Sequence, residues 1–285
     1  MFHGTVKNPY YHPSVVTVGL KRMILATKGV LPRKVYAAIF DVAFLGYRAI
    51  LRWGYGIRIP LAFLSAERTR GARAAAVFRV MPFSLVGSAG LEATYNAAIA
   101  LETAGITGSF VECGVAQGGC AALMASLAMS AGDTRAIWLF DSFEGLPEPT
   151  KEDFDGGATG THLRELPRGS CLGTEEEVSH LLFNRFRLSR ARITLVKGWF
   201  DQTIPKISPI LGPIALLRID ADWYESVKCC LGNLYPNVVP GGQIIIDDYG
   251  SCFGARRAVD EFLALHGLAP QLIPDGRGGI IFTKL

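Results

Sequence analysis

Acidic residues are scarce at the front of this 285-residue chain: up to Arg73 there are two, Asp41 and Glu67, against twelve lysines and arginines. That segment carries +10, which leaves −6 for the rest of a chain whose net charge is +4. The six cysteines (113, 120, 171, 229, 230 and 252) include no C-x-x-C pair, and the five histidines form no ladder with them. They read as reduced, mostly buried thiols of a cytoplasmic protein rather than as a cysteine framework. No apolar core follows a basic start in MFHGTVKNPYYHPSVV, so no secretory signal is expected there. No apolar run reaches about 20 residues; the strongest in the first third, VYAAIFDVAFLGYRAILRWGYG (35–56), is broken by Asp41 and Arg48. A bilayer span is therefore not expected. Nucleic acid is not an expected partner, because the basic segment is too aliphatic and carries no nucleic-acid motif. There are no internal repeats and no low-complexity tracts.

What remains is globular: 49% hydrophobic and 19% charged residues supply a sizeable core. From about residue 90 the pattern is regular. SAGLEATYNAAIALETAG (88–105) predicts a helix, GSFVECGV (108–115) a buried strand, and GGCAALMASLAMSAG a helix ending at Gly132. Strands follow at 135–141, 192–200, 212–220 and 242–248, with helices after the last two, and a short pair PQLIP and GGIIFTK closes the chain. Strands alternating with helices predict a doubly wound, mostly parallel sheet of seven strands, the last antiparallel, with ligands at the carboxyl ends of the strands. We expect a domain over 81–285 preceded by a basic helical extension over 1–80. The extension reads as a helix docked on the body or on a second subunit of a homo-oligomer. Alternatively its 33–58 segment lies on a membrane surface, with Arg33, Lys34, Arg48, Arg52 and Arg58 near anionic headgroups.

LLRIDADWYESVKCCLGNLYPNVVPGGQIIIDDYG (216–250) puts Asp220, Asp222, Asp247 and Asp248 at the ends of two apolar strands. A single aspartate there is ordinarily a turn former or helix cap. Two pairs separated by a helix read as a site, since buried carboxylates need a cation or hydrogen bonds. With no Cys/His set nearby in sequence, hard oxygen donors favour Mg²⁺ over Zn²⁺. Consecutive strand residues point to opposite faces, so Asp247 and Asp248 can meet one ion only if the strand ends between them, which Tyr249-Gly250 makes reasonable. After the first strand, Gly114, Gly118 and Gly119 form a turn that lets a ligand approach backbone amides at a helix start. After the second, Asp141 can accept ribose hydroxyls, and the two features together suit an adenosine-containing ligand.

The ordered motifs ECGVAQGG, FDSFEGLP, KGWFDQTIP, IDADWYES and PGGQIIIDDYG with GARRAVDEF resemble the macrocin O-methyltransferase family over roughly 80–285. The resemblance implies a class I methyltransferase that uses S-adenosylmethionine and Mg²⁺ to methylate sugar hydroxyls. It implies that Glu112 and Gly114 shape the methionine pocket, that Asp141 holds the ribose, and that Ser142 and the Gly198-Trp199-Phe200 turn lie near the adenine. Asp220, Asp247 and Asp248 would hold the metal. Asp220 is the expected base, with Asp222 in support or as the alternative. The acceptor is a small molecule, glycan or glycolipid. A phosphatase, a glycosyltransferase using D-x-D, and a non-catalytic membrane adaptor are the competing readings. PEPTKEDFDGGATGTHLRELPRGSC (147–171) reads as a long loop over the strand ends, either a lid or a disordered excursion, and His162 is its one histidine. Arg256 and Arg257 read as helix decoration.

Overall fold

The computed structural model describes residues 32–64, 68–132, 135–162 and 165–285. Three helices lead the described residues: α1 (Arg33–Phe63), α2 (Arg68–Val80) and α3 (Gly87–Thr103). Then come β1 (Ser109–Cys113), α4 (Gly119–Ser130), β2 (Ile137–Asp141), the short α5 (Glu175–Ser179), β3 (Ile193–Lys197), α6 (Phe200–Leu211), β4 (Ile214–Ile219) and α7 (Tyr224–Leu234). β5 (Val238–Ile246), α8 (Phe253–Leu265), β6 (Ile273–Pro274) and β7 (Ile280–Thr283) complete it. The seven strands form one sheet in the order β3-β2-β1-β4-β5-β7-β6. β7 runs antiparallel to both of its neighbours, and β1 to β5 are parallel. Strand order reverses at β1 and β4, where a ligand crevice is expected in such sheets.

Alternation along the strands divides the core. Phe110, Leu216 and Ile245 face a cluster with α2, α3 and α4, while Val111, Leu217, Ile244 and Ile246 face α7 and α8. Helix α4 has almost no polar side and is buried nearly all round, as such a helix must be. Ala74, Val77 and Val80 of α2 belong to the same core cluster, so the division expected at residue 80 falls inside one packed unit. β5 starts earlier than its apolar run suggests, at Val238, because the β4–β5 register shifts between Ile214 and Leu216 opposite Gly241, whose φ is +80°.

Helix α1 docks on the body through Tyr55, Ile59 and Ala62. The Tyr55 hydroxyl donates to Glu92 Oε1 of α3 at 2.6 Å. Arg48 donates to the Pro82 and Ser84 carbonyls, and Arg52 stacks over Phe78, so two of the arginines assigned to a lipid surface hold the helix to its own chain. The expectation that the apolar side docks inward holds only in part. Val42, Ile50, Trp53 and Leu61 are 65–72% exposed. The Arg33 and Lys34 side chains lie outside the described residues.

The turn after β1 is the tightest point of the sheet. Gly114 has φ +88°, and a Cβ there would overlap the Asp220 carbonyl oxygen, 1.7 Å away. Gly114→Ala should therefore cost at least about 2 kcal/mol of stability, read as a lower urea midpoint at unchanged slope.

Candidate active site

Register alone brings the site together. Cys113 pairs with Phe140 and Ile219, and Ile219 pairs with Ile246, so Asp141, Asp220 and Asp247 leave three strands at one level. Period-two alternation then places Glu112, Arg218, Asp220 and Asp247 on the same sheet face. The fully buried Arg218 joins them. Its Nε donates to Glu112 Oε1 at 3.1 Å, and its Nη2 donates to Asp220 Oδ2 at 2.8 Å and to Asp247 Oδ1 at 2.9 Å. Asp247 Oδ2 accepts from Arg277 Nη1 at 2.8 Å. Burial alone would raise the Asp247 carboxyl, but the two guanidinium groups hold it below its ordinary range. Glu112 has one partner; its Oε2 is buried with no hydrogen bond, and burial pushes the carboxyl up to about 8 against the pull of Arg218.

β5 ends at Ile246, so Asp247 and Asp248 both lie in the turn beyond it and the difficulty of opposite faces disappears. Carboxylate oxygens of Asp220, Asp247 and Asp248 come within 4.8 Å of one another. Asp248 Oδ1 accepts from Ser251 Oγ, and its Oδ2 is buried without a partner. Burial and the neighbouring aspartates raise Asp220 and Asp248 well above the usual carboxylate range, and push Asp222 up to about 7. Five acids thus face two guanidinium groups, Arg218 and Arg277. An all-oxygen set with surplus negative charge and an orphaned carboxylate oxygen fits a hard divalent cation such as Mg²⁺.

The glycine turn is shaped by Asp141, whose Oδ2 accepts from the Val115 and Ala116 amides at 2.7 and 3.0 Å and whose Oδ1 accepts from Phe143 at 2.7 Å. A carboxylate offers about four acceptor positions, so about one is left for a ribose rather than the two that were expected. Ser142 closes its own turn, with its Oγ donating to the Gly145 carbonyl. A cavity of about 2090 Å³ opens over these strand ends, lined by Glu112, Gly114, Asp141, Ser142, Trp199 and the four aspartates. Gly118 and Gly198, expected to touch the cofactor, do not line it. Gly118 is the left-handed cap of α4 beneath Leu181, and Gly198 is a turn packed on Thr203.

The 147–171 loop is anchored by a residue that sequence reading passed over. Asp153, fully buried, accepts from the Tyr224 and Thr150 amides at 2.6 and 2.7 Å. Trp223 Nε1 donates to the Pro147 carbonyl, so the described part of the loop is fastened over the strand ends rather than an excursion. His162 lines the cavity with its Nε2 3.2 Å from Cys252 Sγ. The opposite wall is α1, through Phe40, Phe44, Tyr47, Arg48 and Leu51. Arg218, Arg277 and Asp153 were all missed. The signal for Arg218 was a lone charge inside the apolar run LLRI, which globular interiors tolerate only when it is paired.

The macrocin O-methyltransferase family model matches residues 62–283. The chain belongs to that family. It is 36% identical over 181 residues to the demethyldecarbamoylnovobiocin O-methyltransferase of Streptomyces niveus, covering 63% of this chain and 67% of the relative. It is 34% identical over 194 residues to a Streptomyces olivaceus enzyme that methylates the 4′ position of a rhamnosyl tetracenomycin, covering 66% and 72%. Mycinamicin III 3″-O-methyltransferase of Micromonospora griseorubida is 32% identical over 183 residues, covering 63% and 70%. The solved O-methyltransferase NovP superposes with a TM-score of 0.63 at 32% identity, covering 71% of this chain and 82% of that one. The calicheamicin methyltransferase CalS11, at 17% identity and a TM-score of 0.56, shares the fold over 99% of this chain and 98% of its own. This macrocin-type chain is accordingly an O-methyltransferase with the doubly wound fold of the class I enzymes.

Removing the hub should expose how much depends on it. Arg218→Met leaves Glu112, Asp220 and Asp247 facing one another, and is expected to cost about 3–5 kcal/mol in chemical denaturation.

Proposed function

We propose that this O-methyltransferase transfers a methyl group from S-adenosylmethionine to a sugar hydroxyl of a glycosylated acceptor, with Mg²⁺ held among Asp220, Asp247 and Asp248. The observation that carries the reading is a pair of buried, unpartnered carboxylate oxygens, Glu112 Oε2 and Asp248 Oδ2, on residues that line one cavity. The first suits the ammonium of a methionine moiety, and the second a divalent cation. The tailoring enzymes of similar sequence support the acceptor class.

An unactivated sugar hydroxyl is a poor nucleophile. S-adenosylmethionine supplies an electrophilic methyl on sulfur, and a bound Mg²⁺ supplies Lewis acidity at the hydroxyl oxygen. The chain's own residues do the rest. Asp220, whose side chain is 24% exposed, receives the hydroxyl proton. Arg218 fixes the carboxylate by one oxygen and keeps it in place. Asp222, pushed up to about 7, is the alternative acceptor of the proton. The remaining acceptor position of Asp141 receives the ribose side, with Ser142 and Trp199 beside the base. Helix α1 forms the acceptor-side wall, where Phe40 and Phe44 stack with centroids 5.8 Å apart and offer an apolar surface to the aglycone. Among the described residues no helix is long and apolar enough to cross a membrane, and we place the enzyme in the cytoplasm.

S-adenosylhomocysteine at a hundred times its dissociation constant should stabilise the protein by about 2.7 kcal/mol, read as a rise in melting temperature. UDP-sugars and NAD should give no rise; a response to them and none to S-adenosylhomocysteine would refute the reading. Asp220→Asn and Asp247→Asn should each lower turnover at least about a hundredfold while that stabilisation persists, and wild-type turnover in either would remove the metal assignment. Phe44→Ala should raise the acceptor KM about tenfold, about 1.4 kcal/mol of contact, with the stabilisation by S-adenosylhomocysteine unchanged.

A further inference from the structure

Beyond the oxygen-lined cluster, a second group of donors of a different chemical kind lies at the edge of the cavity, two of them lining it. His162 Nε2 lies 3.2 Å from Cys252 Sγ, and Cys252 Sγ lies 3.6 Å from Asp222 Oδ1. The three donor atoms are all within 4.8 Å of one another. Around a tetrahedral Zn²⁺, bonds of about 2.0–2.3 Å put neighbouring donors about 3.3–3.8 Å apart. The two separations at Cys252 Sγ, 3.2 and 3.6 Å, are close to that range. An imidazole, a thiol and one carboxylate are also the donors that select borderline and soft cations over Mg²⁺.

The backbone holds this arrangement without relying on the side chains. Gly160 and Cys252 form an antiparallel bridge, with the Thr161 amide donating to the Ser251 carbonyl and the Phe253 amide donating to the Thr159 carbonyl. Gly160 is obligatory there, since a Cβ would lie 2.0 Å from the Ser251 carbonyl oxygen and 3.1 Å from the His162 ring. Asp222 is turned toward the pair by a left-handed backbone, φ +54°, uncommon for a residue other than glycine. Cys252 is 1% exposed and His162 and Asp222 border the cavity, so two of the three donors face an open space.

We infer that His162, Cys252 and Asp222 form a second metal site, selective for a Zn²⁺-type cation, that ties the loop over the strand ends to the start of α8. On binding, the Cys252 thiol proton leaves to solvent and the thiolate, the neutral imidazole and the carboxylate become ligands, with water in the fourth position. The three ligands of the hard cluster, Asp220, Asp247 and Asp248, are not among these side chains, and a cation on Asp222 would leave Asp220 as the acceptor of the hydroxyl proton. No Cys/His set was expected near the aspartates because His162, 90 positions from Cys252, is distant in sequence and close in space.

Cobalt(II) added to the full chain with Mg²⁺ in excess provides the test. The expected result is a thiolate-to-cobalt charge-transfer band with a tetrahedral ligand-field spectrum, bleached by one equivalent of zinc(II). The band should vanish in Cys252→Ser, require at least about tenfold more cobalt in His162→Gln, and persist in Cys171→Ser and Asp247→Asn. The absence of a thiolate band, its survival in Cys252→Ser, or its loss in Cys171→Ser would each overturn the site. If Cys252→Ser does not fold, His162→Gln decides, and an unchanged cobalt affinity there refutes it.

Discussion

One buried guanidinium organises the upper edge of this sheet. Arg218 projects from the middle strand with no exposure to water and is tolerated because Glu112, Asp220 and Asp247 surround it. Remove those acids and the arginine has no place; remove the arginine and they repel. The same guanidinium touches the carboxylate assigned to the cofactor and two of those assigned to the metal. Charge arriving on one side is therefore felt on the other, and by linkage the coupling acts equally in both directions.

Around that hub the chain spends many of its constraints on closing distances. Gly114 lets the turn after β1 sit on the Asp220 carbonyl, and Gly254 gives room to the Asp153 carboxylate, 1.8 Å from where its Cβ would be. Asp153 then caps the first turn of α7 through the Tyr224 amide. The loop over the strand ends is thus fixed to the helix that follows the first aspartate pair, and its position and theirs are set together.

Much of this could be read in the sequence, and the reason is periodicity. Apolar runs of strand length between helical patterns predicted the parallel sheet and its antiparallel last strand. The D-x-D and D-D pairs stood out because acids at the ends of apolar runs are costly to bury. Partners contributed by distant segments could not be read. Arg277 looked like part of a glycine-rich turn, yet it reaches Asp247 across 30 positions, and His162 meets Cys252 across 90. Asp141 was seen as a ligand for a ribose, and its first task is to fold the neighbouring turn. Boundaries near bulges also escaped, since Gly241 lets β5 begin before its hydrophobic pattern does.

Helix α1 packs Tyr55, Ile59 and Ala62 against the core, is fastened by Tyr55 to Glu92, Arg48 to two carbonyls and Arg52 to Phe78, and supplies one wall of the cavity. The aspartates and glycines come from strand ends; this wall comes from a separate segment. Changes at Phe40 or Phe44 on its cavity side therefore alter what fits the cavity without touching a strand of the sheet.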